Sequence, residues 1–274
     1  MDTEQHARPL VDIGVNLADK RFKGETHAVL ERARDSGVSA CILTATSESI
    51  SHELIDLCER YAEEFPAMLS CTAGVHPHEA KNWHRASAGV LAELASHGAV
   101  VAIGETGLDF NRDFSPRPQQ ELAFEAQLEL ASELQLPVFL HERDAHKRQL
   151  EILHCYRDHL VDGVIHCFTG DKKSLFNYLD LDLHIGVTGW ICDERRGQEL
   201  QNLVKNIPLN RLMLETDAPY LTPRTLQPKP KSSRNEPAYL PWVLDSVAKF
   251  RSETAELIAQ ATSTTARQFF RLDS

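Results

Sequence analysis

The 274-residue chain predicts an α/β fold, a single (β/α)8 TIM barrel spanning residues 1–274. Three observations point there. Eight short apolar runs alternate with helical patterns, as parallel βα units require. The length suits such a barrel, for which about 250 residues is typical. No Gly/Ser linker divides the chain, and no sequence repeat is evident.

Leu10–Val15 reads as strand one. Residues 24–36 carry Ala28, Leu30 and Ala33 at helical spacing and stop at Gly37. Residues 38–45 make strand two, rich in Val, Ile, Leu and Cys. An amphipathic helix over 47–61 presents Ile50, Leu54, Leu57 and Cys58 on one side. Strand three, 68–75, runs into His76-Pro77-His78. A helix over 85–96 leads to strand four, the stretch 100–109, whose apolar run ends abruptly in a carboxylate, Glu105, flanked by Gly104 and Gly107. Burying an unpaired carboxylate is costly, so Glu105 is expected to face a cation, a donor or a solvated cleft.

Pro118 fits the first turn of a helix reaching Leu134, with Leu122, Leu128 and Ala131 as expected core residues. Strand five, 137–140, ends in His141, and a helix over 144–159 follows. Strand six, 163–165, ends in His166, and Asp171 is the expected N-cap of a helix over 172–179. Strand seven, 183–187, precedes Thr188-Gly189-Trp190. A helix over 194–206 stops before Pro208. Strand eight, 211–214, ends in Glu215-Thr216-Asp217. A Pro-rich, mainly basic loop spans 218–237, and helices over 239–249 and 254–269 complete the chain.

A net charge of −11 argues against a broad basic surface for coating duplex DNA, though not against a cation-lined cleft. No apolar run is long enough to span a membrane, and the first residues, Met1 to His6, lack the pattern of a secretory signal. Six dispersed cysteines without a CxxC pair read as reduced thiols of a cytoplasmic protein.

The informative residues stand at the C-terminal strand ends: Asn16, His76, Glu105, His141, His166 and Asp217. In a βα barrel these positions converge on one mouth. Each alone reads as a satisfied structural residue or a helix cap. Glu105, His141, His166 and Asp217 together, on strands four, five, six and eight, make a divalent-metal site. A metal there would lower the pKa of bound water and offset charge on a phosphoryl or carbonyl oxygen. No G-x-S-x-G elbow, Walker A loop, G-x-G-x-x-G loop or H-E-x-x-H helix offers another route. Arg224, Lys229, Lys231 and Arg234 put positive charge in the loop after strand eight, either as a solvated face or as phosphate contacts. Trp190 is either packed or a stacking surface for a base. Phe110 and Tyr220 are expected in the mouth wall or the core.

Six motifs in order then resemble the TatD-family metal-dependent deoxyribonucleases. They are Gly74-Val75-His76-Pro77-His78, Gly104-Glu105-Thr106-Gly107-Leu108-Asp109 and Leu140-His141-Glu142-Arg143-Asp144-Ala145. With them come His166-Cys167-Phe168-Thr169-Gly170, Glu215-Thr216-Asp217-Ala218-Pro219-Tyr220-Leu221 and Arg234-Asn235-Glu236-Pro237. The resemblance runs from Val11 to Phe270. It implies a TIM-barrel hydrolase acting as a 3′–5′ exonuclease on single-stranded DNA; the full reading is a cytoplasmic enzyme, expected as a monomer, with RNA as a second substrate. Divalent metal is implied, Mg2+ first and Mn2+ second, with two ions per site and a role in DNA repair or degradation.

By that resemblance Glu105 bridges the two metals, His141 and His166 hold one, and Asp217 holds the other and orients or deprotonates water. His76, His78, Arg143 and Asn235 lie near substrate. The chain departs from many relatives on strand one, where Asp-x-His-x-His is replaced by Asp12-Ile13-Gly14-Val15-Asn16, the pattern of the TatD branch proper. The Asp217-side metal is then left with Glu105, Asp217 and oxygen from Asn16, Asp12 or water, a set that favours hydrated Mg2+ or Mn2+ over Zn2+. Two rivals remain. One is a metal-dependent amidohydrolase or esterase on the same barrel, which would want more imidazole and often a lysine. The other is a nucleic-acid-binding protein that has lost catalysis.

Overall fold

The computed structural model describes residues 9–230 and 232–272, so Met1 to His6 and Lys231 lie outside the described residues. Eight parallel strands follow one another around a single sheet in sequence order. They are β1 (Leu10–Val15), β2 (Val38–Leu43), β3 (Leu69–Ala73), β4 (Val100–Asp109), β5 (Val138–Arg143), β6 (Gly163–Ile165), β7 (His184–Val187) and β8 (Leu212–Leu214). The ring meets itself where Asp217 N–H donates to Gly14 O at 2.9 Å and Asn16 N–H to Ala218 O at 2.7 Å. The barrel read from the alternation of apolar runs is the one observed.

Helices α1 (Thr26–Asp35), α2 (Glu48–Tyr61), α3 (Ser87–Ala95), α4 (Arg117–Leu134), α5 (His146–Tyr156), α6 (Lys172–Asp180), α7 (Gln198–Leu203), α8 (Leu240–Lys249) and α9 (Ala255–Phe270) make up the rest of the fold. Their starts obey local chemistry. Ser47 Oγ accepts from Ile50 N–H at 3.2 Å, Asp171 Oδ1 from Ser174 N–H at 2.8 Å, and Thr254 Oγ1 from Leu257 N–H at 3.3 Å. A large core lies between strands and helices. A second, inside the barrel, contains Val11, Ile13, Ile42, Phe139, Val164 and Met213. Ala266, Phe269 and Phe270 of α9 join that inner cluster. Ser263 of α9 bonds Pro9 O at 2.7 Å, so this helix plugs the end where β1 begins and leaves the opposite end as the mouth.

Several boundaries differ from expectation for physical reasons. Leu122 is 59% exposed, whereas Leu128 and Ala131 are buried. The inward face of α4 also carries Gln120 and Gln127, both fully buried, so apolar residues alone misplace its stripe. The helix expected over 194–206 is α7 plus a 3₁₀ turn, Val204–Asn206. Its first residues instead turn around Asp193, whose Oδ1 accepts from Arg195 and Arg196 N–H at 2.9 and 3.2 Å. The helix expected over 144–159 starts at His146 and ends in a 3₁₀ turn, Arg157–His159.

Glu105 and His141 do not end their strands. β4 and β5 stay paired as far as Asp109 and Arg143, with a register shift between Gly104 and Thr106 that surrounds Glu105. Such a bulge re-aims a side chain within a continuing strand. Gly104 and Gly107 both have φ near +141°, and a Cβ on either would collide with the β5 backbone.

Candidate metal centre

The mouth holds a pocket of 340 Å³ lined by Asn16, His76, His78, Glu105, His141, Arg143, His166 and Asp217, with Thr46, Glu79, Glu142, Cys167, Thr169 and Tyr220 completing the wall. Glu105 Oε1 is the centre of the arrangement. It lies 2.8 Å from His141 Nδ1, 2.8 Å from His166 Nε2 and 3.3 Å from His76 Nε2.

The far side of each imidazole decides what the near side can do. His166 turns Nδ1 toward Glu215 Oε2 at 3.3 Å, and His141 turns Nε2 toward Asp109 Oδ2 at 3.4 Å. The carboxylate behind His166 Nδ1 holds the proton there and leaves the Nε2 lone pair facing forward, whereas His141 Nε2 is buried near Asp109 without a hydrogen bond. The two forward nitrogens, His141 Nδ1 and His166 Nε2, converge on Glu105 Oε1. His76 Nε2, 3.3 Å from both Glu105 Oε1 and His141 Nδ1, offers one donor to this cluster, and further protons or a cation would satisfy the rest.

The pKa directions express the same demand. Burial pushes Glu105 up, but the charges of His166 and His76 and hydrogen bonds from His141 and His166 hold it well below the usual carboxylate range. Burial pushes His141 down, yet Asp109 and Glu105 raise it, and His166 is raised further by Glu105 and Glu215. The donor set therefore fits a divalent cation, which exchanges with protons on such ligands.

Among the described residues, the ligating atoms of His76, Glu105 and His141 lie within 4.8 Å of one another. His76 Nδ1, however, accepts from His78 N–H at 3.0 Å, so the neutral ring carries its proton on Nε2, which faces Glu105. Burial lowers His76 to about 4, with Glu105 opposing, so the ring is neutral at pH 7. His78 Nε2–H donates to Asp109 Oδ2 at 2.7 Å.

Asp217 enters the same pocket from the end of β8. Asn16 Nδ2–H donates to its Oδ1 at 3.0 Å. Burial raises Asp217 to about 7, with His166 opposing and Glu215 and Glu105 adding. Of the two strand-one candidates, Asn16 thus stands beside Asp217. Asp12 is fully buried and accepts from Thr216 N–H and Oγ1–H at 2.9 and 2.6 Å, bracing the strand end from below.

The remaining expected residues divide. Arg143 lines the pocket, with Nη1 3.5 Å from Thr169 Oγ1. Asn235 is fully buried and not among the pocket-lining residues; its Nδ2–H donates to Thr216 O at 2.9 Å, fixing the turn that carries Asp217. Trp190 is half-buried and lies outside the pocket lining, with the Arg196 and Arg143 guanidinium carbons 4.6 and 5.9 Å from its ring centroid. In the basic loop Arg224 pairs with Glu194 at 2.9 Å, and Arg234 with Glu25 and Glu236 at 2.8 Å. Those two arginines are committed to local partners, while Lys229 is exposed.

The family model described as TatD related DNase matches residues 11–271. The chain belongs to the TatD-related DNase family. Among TatD relatives, a 3′–5′ ssDNA/RNA exonuclease TatD of Edwardsiella piscicida is 49% identical over 263 residues, covering 96% of this chain and 100% of that protein. The protein of the same name from Pantoea sp. (strain At-9b) is 50% identical over 263 residues, with the same coverage. The crystal structure of the TatD homolog YJJV of Escherichia coli K12 superposes with a TM-score of 0.86 at 29% identity, covering 97% of this chain and 98% of that one. The TatD family hydrolase of Entamoeba histolytica gives a TM-score of 0.87 at 26% identity.

Sequence reasoning overlooked the supports of this TatD centre. Glu215, fully buried, has no role assigned by its sequence context alone. Gly14 and Gly186 make room for it, since a Cβ on either would overlap its carboxylate. Gln120 accepts from Asp109 N–H at 2.8 Å and donates to Asp109 O at 3.1 Å. Gln127 treats Val75 alike, at 2.8 and 3.0 Å. Gln149 accepts from Leu108 N–H at 3.0 Å. The signal was present: Gln120 and Gln127 lie seven residues apart, on one face of α4.

Proposed function

We propose that the chain is a divalent-cation-dependent 3′–5′ exonuclease that hydrolyses phosphodiester bonds of single-stranded DNA and RNA. The observation that carries this reading is the convergence of the His141 and His166 ring nitrogens on Glu105 Oε1, each at 2.8 Å. The names of the relatives, 3′–5′ ssDNA/RNA exonuclease TatD, support the substrate and the direction. Glu105, His141 and His166 would hold one cation, and Glu105 with Asp217 a second, beside Asn16. Mg2+ suits the oxygen-rich second position, with Mn2+ as its nearest substitute. When bound, such cations supply Lewis acidity, lowering the pKa of water and offsetting charge on phosphoryl oxygens.

The side chains do the rest. Asn16 holds Asp217 Oδ1, leaving Oδ2 to orient the attacking water and accept its proton. Neutral His76 donates from Nε2 to a phosphoryl oxygen, and Arg143 adds a planar cation against the phosphate. His78, held by Asp109, adds a substrate contact beside His76. Asn235 acts through the Asp217 turn. Trp190, with the Arg196 and Arg143 guanidinium groups near its ring, offers a stacking surface further along the strand. None of the residues lining the pocket is a lysine, which weighs against the amidohydrolase alternative. Six free thiols support a reducing, cytoplasmic setting, and no helix among the described residues is long and apolar enough to cross a membrane. The reading takes the chain as one catalytic unit working as a monomer, in DNA repair or degradation.

The test is a single-stranded oligonucleotide labelled at its 5′ end, incubated with Mg2+ or with EDTA. Stepwise shortening from the 3′ end in Mg2+ alone is expected. Internal cuts, or shortening that persists in EDTA, would overturn the proposal.

A further inference from the structure

We propose that Phe114 and Tyr220 are base-stacking platforms on opposite walls of the mouth, one for each nucleotide flanking the scissile phosphodiester. The inference rests on the exonuclease reading and specifies how that site holds its strand. Phe114 and Tyr220 are 55% and 47% exposed. Single exposed apolar residues are ordinary, so their placement carries the argument. Phe114 follows β4 and Tyr220 follows β8, and in the order β1 to β8 these strands lie half a barrel apart.

Phe114 is tied to the centre by an unbroken series of rings. It meets His78 edge-on with centroids 4.7 Å apart. His78 meets His76 at 4.3 Å, and His76 meets His141 at 4.4 Å. The loop presenting it is fixed at both ends. Asp109 Oδ1 accepts from Asn111 and Arg112 N–H at 3.0 and 2.8 Å. Fully buried Ser115 donates to His78 O at 2.8 Å and accepts from Lys81 N–H at 3.0 Å. A ring exposed on a fixed loop loses little freedom when a base covers it.

Tyr220 lines the pocket itself. One face of its ring is backed by the Arg21 guanidinium at 4.2 Å, and its hydroxyl donates to Asp19 Oδ2 at 3.2 Å. Arg21 is itself paired with Asp19, at 2.8 Å, so it stiffens the ring more than it adds charge to the rim. Arg112 lies 6.0 Å from the Phe114 ring. On a chain of net charge −11, these platforms grip the strand by π-stacking with little help from a basic surface. Every base has a π face, so such a grip is independent of sequence.

The test is fluorescence anisotropy of a labelled ten-nucleotide oligothymidylate in EDTA, which keeps the strand intact. Phe114→Ala and Tyr220→Ala should each weaken binding by about ten-fold. Phe176→Ala, an exposed ring on α6, should leave it unchanged. Removing one base from the strand should abolish the penalty of one variant, and removing its neighbour that of the other. Losses no larger than for Phe176→Ala, or losses that persist on both abasic strands, overturn the proposal. The two readings separate cleanly. Base-specific losses in a protein that never shortens DNA would leave the platforms standing and sink the exonuclease. Mg2+-dependent shortening with unaltered variant binding would do the reverse.

Discussion

Glu215 lies directly behind His166, its Oε2 3.3 Å from Nδ1, and is fully buried there. It also accepts from the Cys167 N–H, so one carboxylate fixes both the tautomer of His166 and the backbone after it. Glu215→Gln should therefore weaken metal binding by about 10–100-fold while circular dichroism stays that of the native barrel. Gly14→Ala should produce the same loss without touching any ligand, because the added methyl displaces Glu215. Calorimetric titration with Mn2+ checks both variants, and unaltered affinity in either would count against this role.

Asp217, raised to about 7 mainly by burial, gives the pH dependence its sign. Its useful form is the carboxylate, which exists above the pKa, so kcat/KM should fall as pH drops through that value. A cation beside the group favours the charged form, so more Mg2+ should move this acid limb to lower pH. Rate profiles at several Mg2+ concentrations test this, and an acid limb that stays fixed contradicts it.

His76 should behave differently from the metal ligands. It is neutral at pH 7 and its proton sits on Nε2, so His76→Ala should lower kcat by about a hundred-fold while Mn2+ affinity stays near that of the wild type. Loss of metal binding in this variant would make it a ligand after all.

Two positions on α4 should respond in opposite ways. Gln120→Leu strands the Asp109 backbone groups and should cost about 1–3 kcal/mol, read as a fall of several degrees in melting temperature. Activity should fall with it, since Asp109 supports His78 and His141. Leu122→Lys, at an exposed site, should change stability by less than about 0.5 kcal/mol.

These two residues also mark how far the sequence was legible. Alternating apolar runs and cap residues such as Ser47 and Asp171 report local physics, and the barrel followed from them. Strand-end chemistry brought Glu105, His141, His166 and Asp217 to one mouth because parallel topology leaves no other place for them. What stayed hidden depended on long-range partners. Gln120 and Gln127 are polar in sequence and buried in fact, since each bonds backbone that the sheet leaves unpaired. Their presence in the inward stripe is also why Leu122, an expected core residue, faces solvent. Asn235 read as a substrate contact, but its bond to Thr216 O comes from folding the long loop back beneath β8. The register shift around Glu105 depends on pairing with β5, which no apolar run reveals.

The central claim is that Glu105 would serve two cations, one held with His141 and His166 and the other with Asp217. Counting bound Mn2+ per chain by electron paramagnetic resonance tests it most directly. The account predicts two ions in the wild type, one in Asp217→Asn and none held tightly in Glu105→Ala. The same count in all three proteins would contradict it.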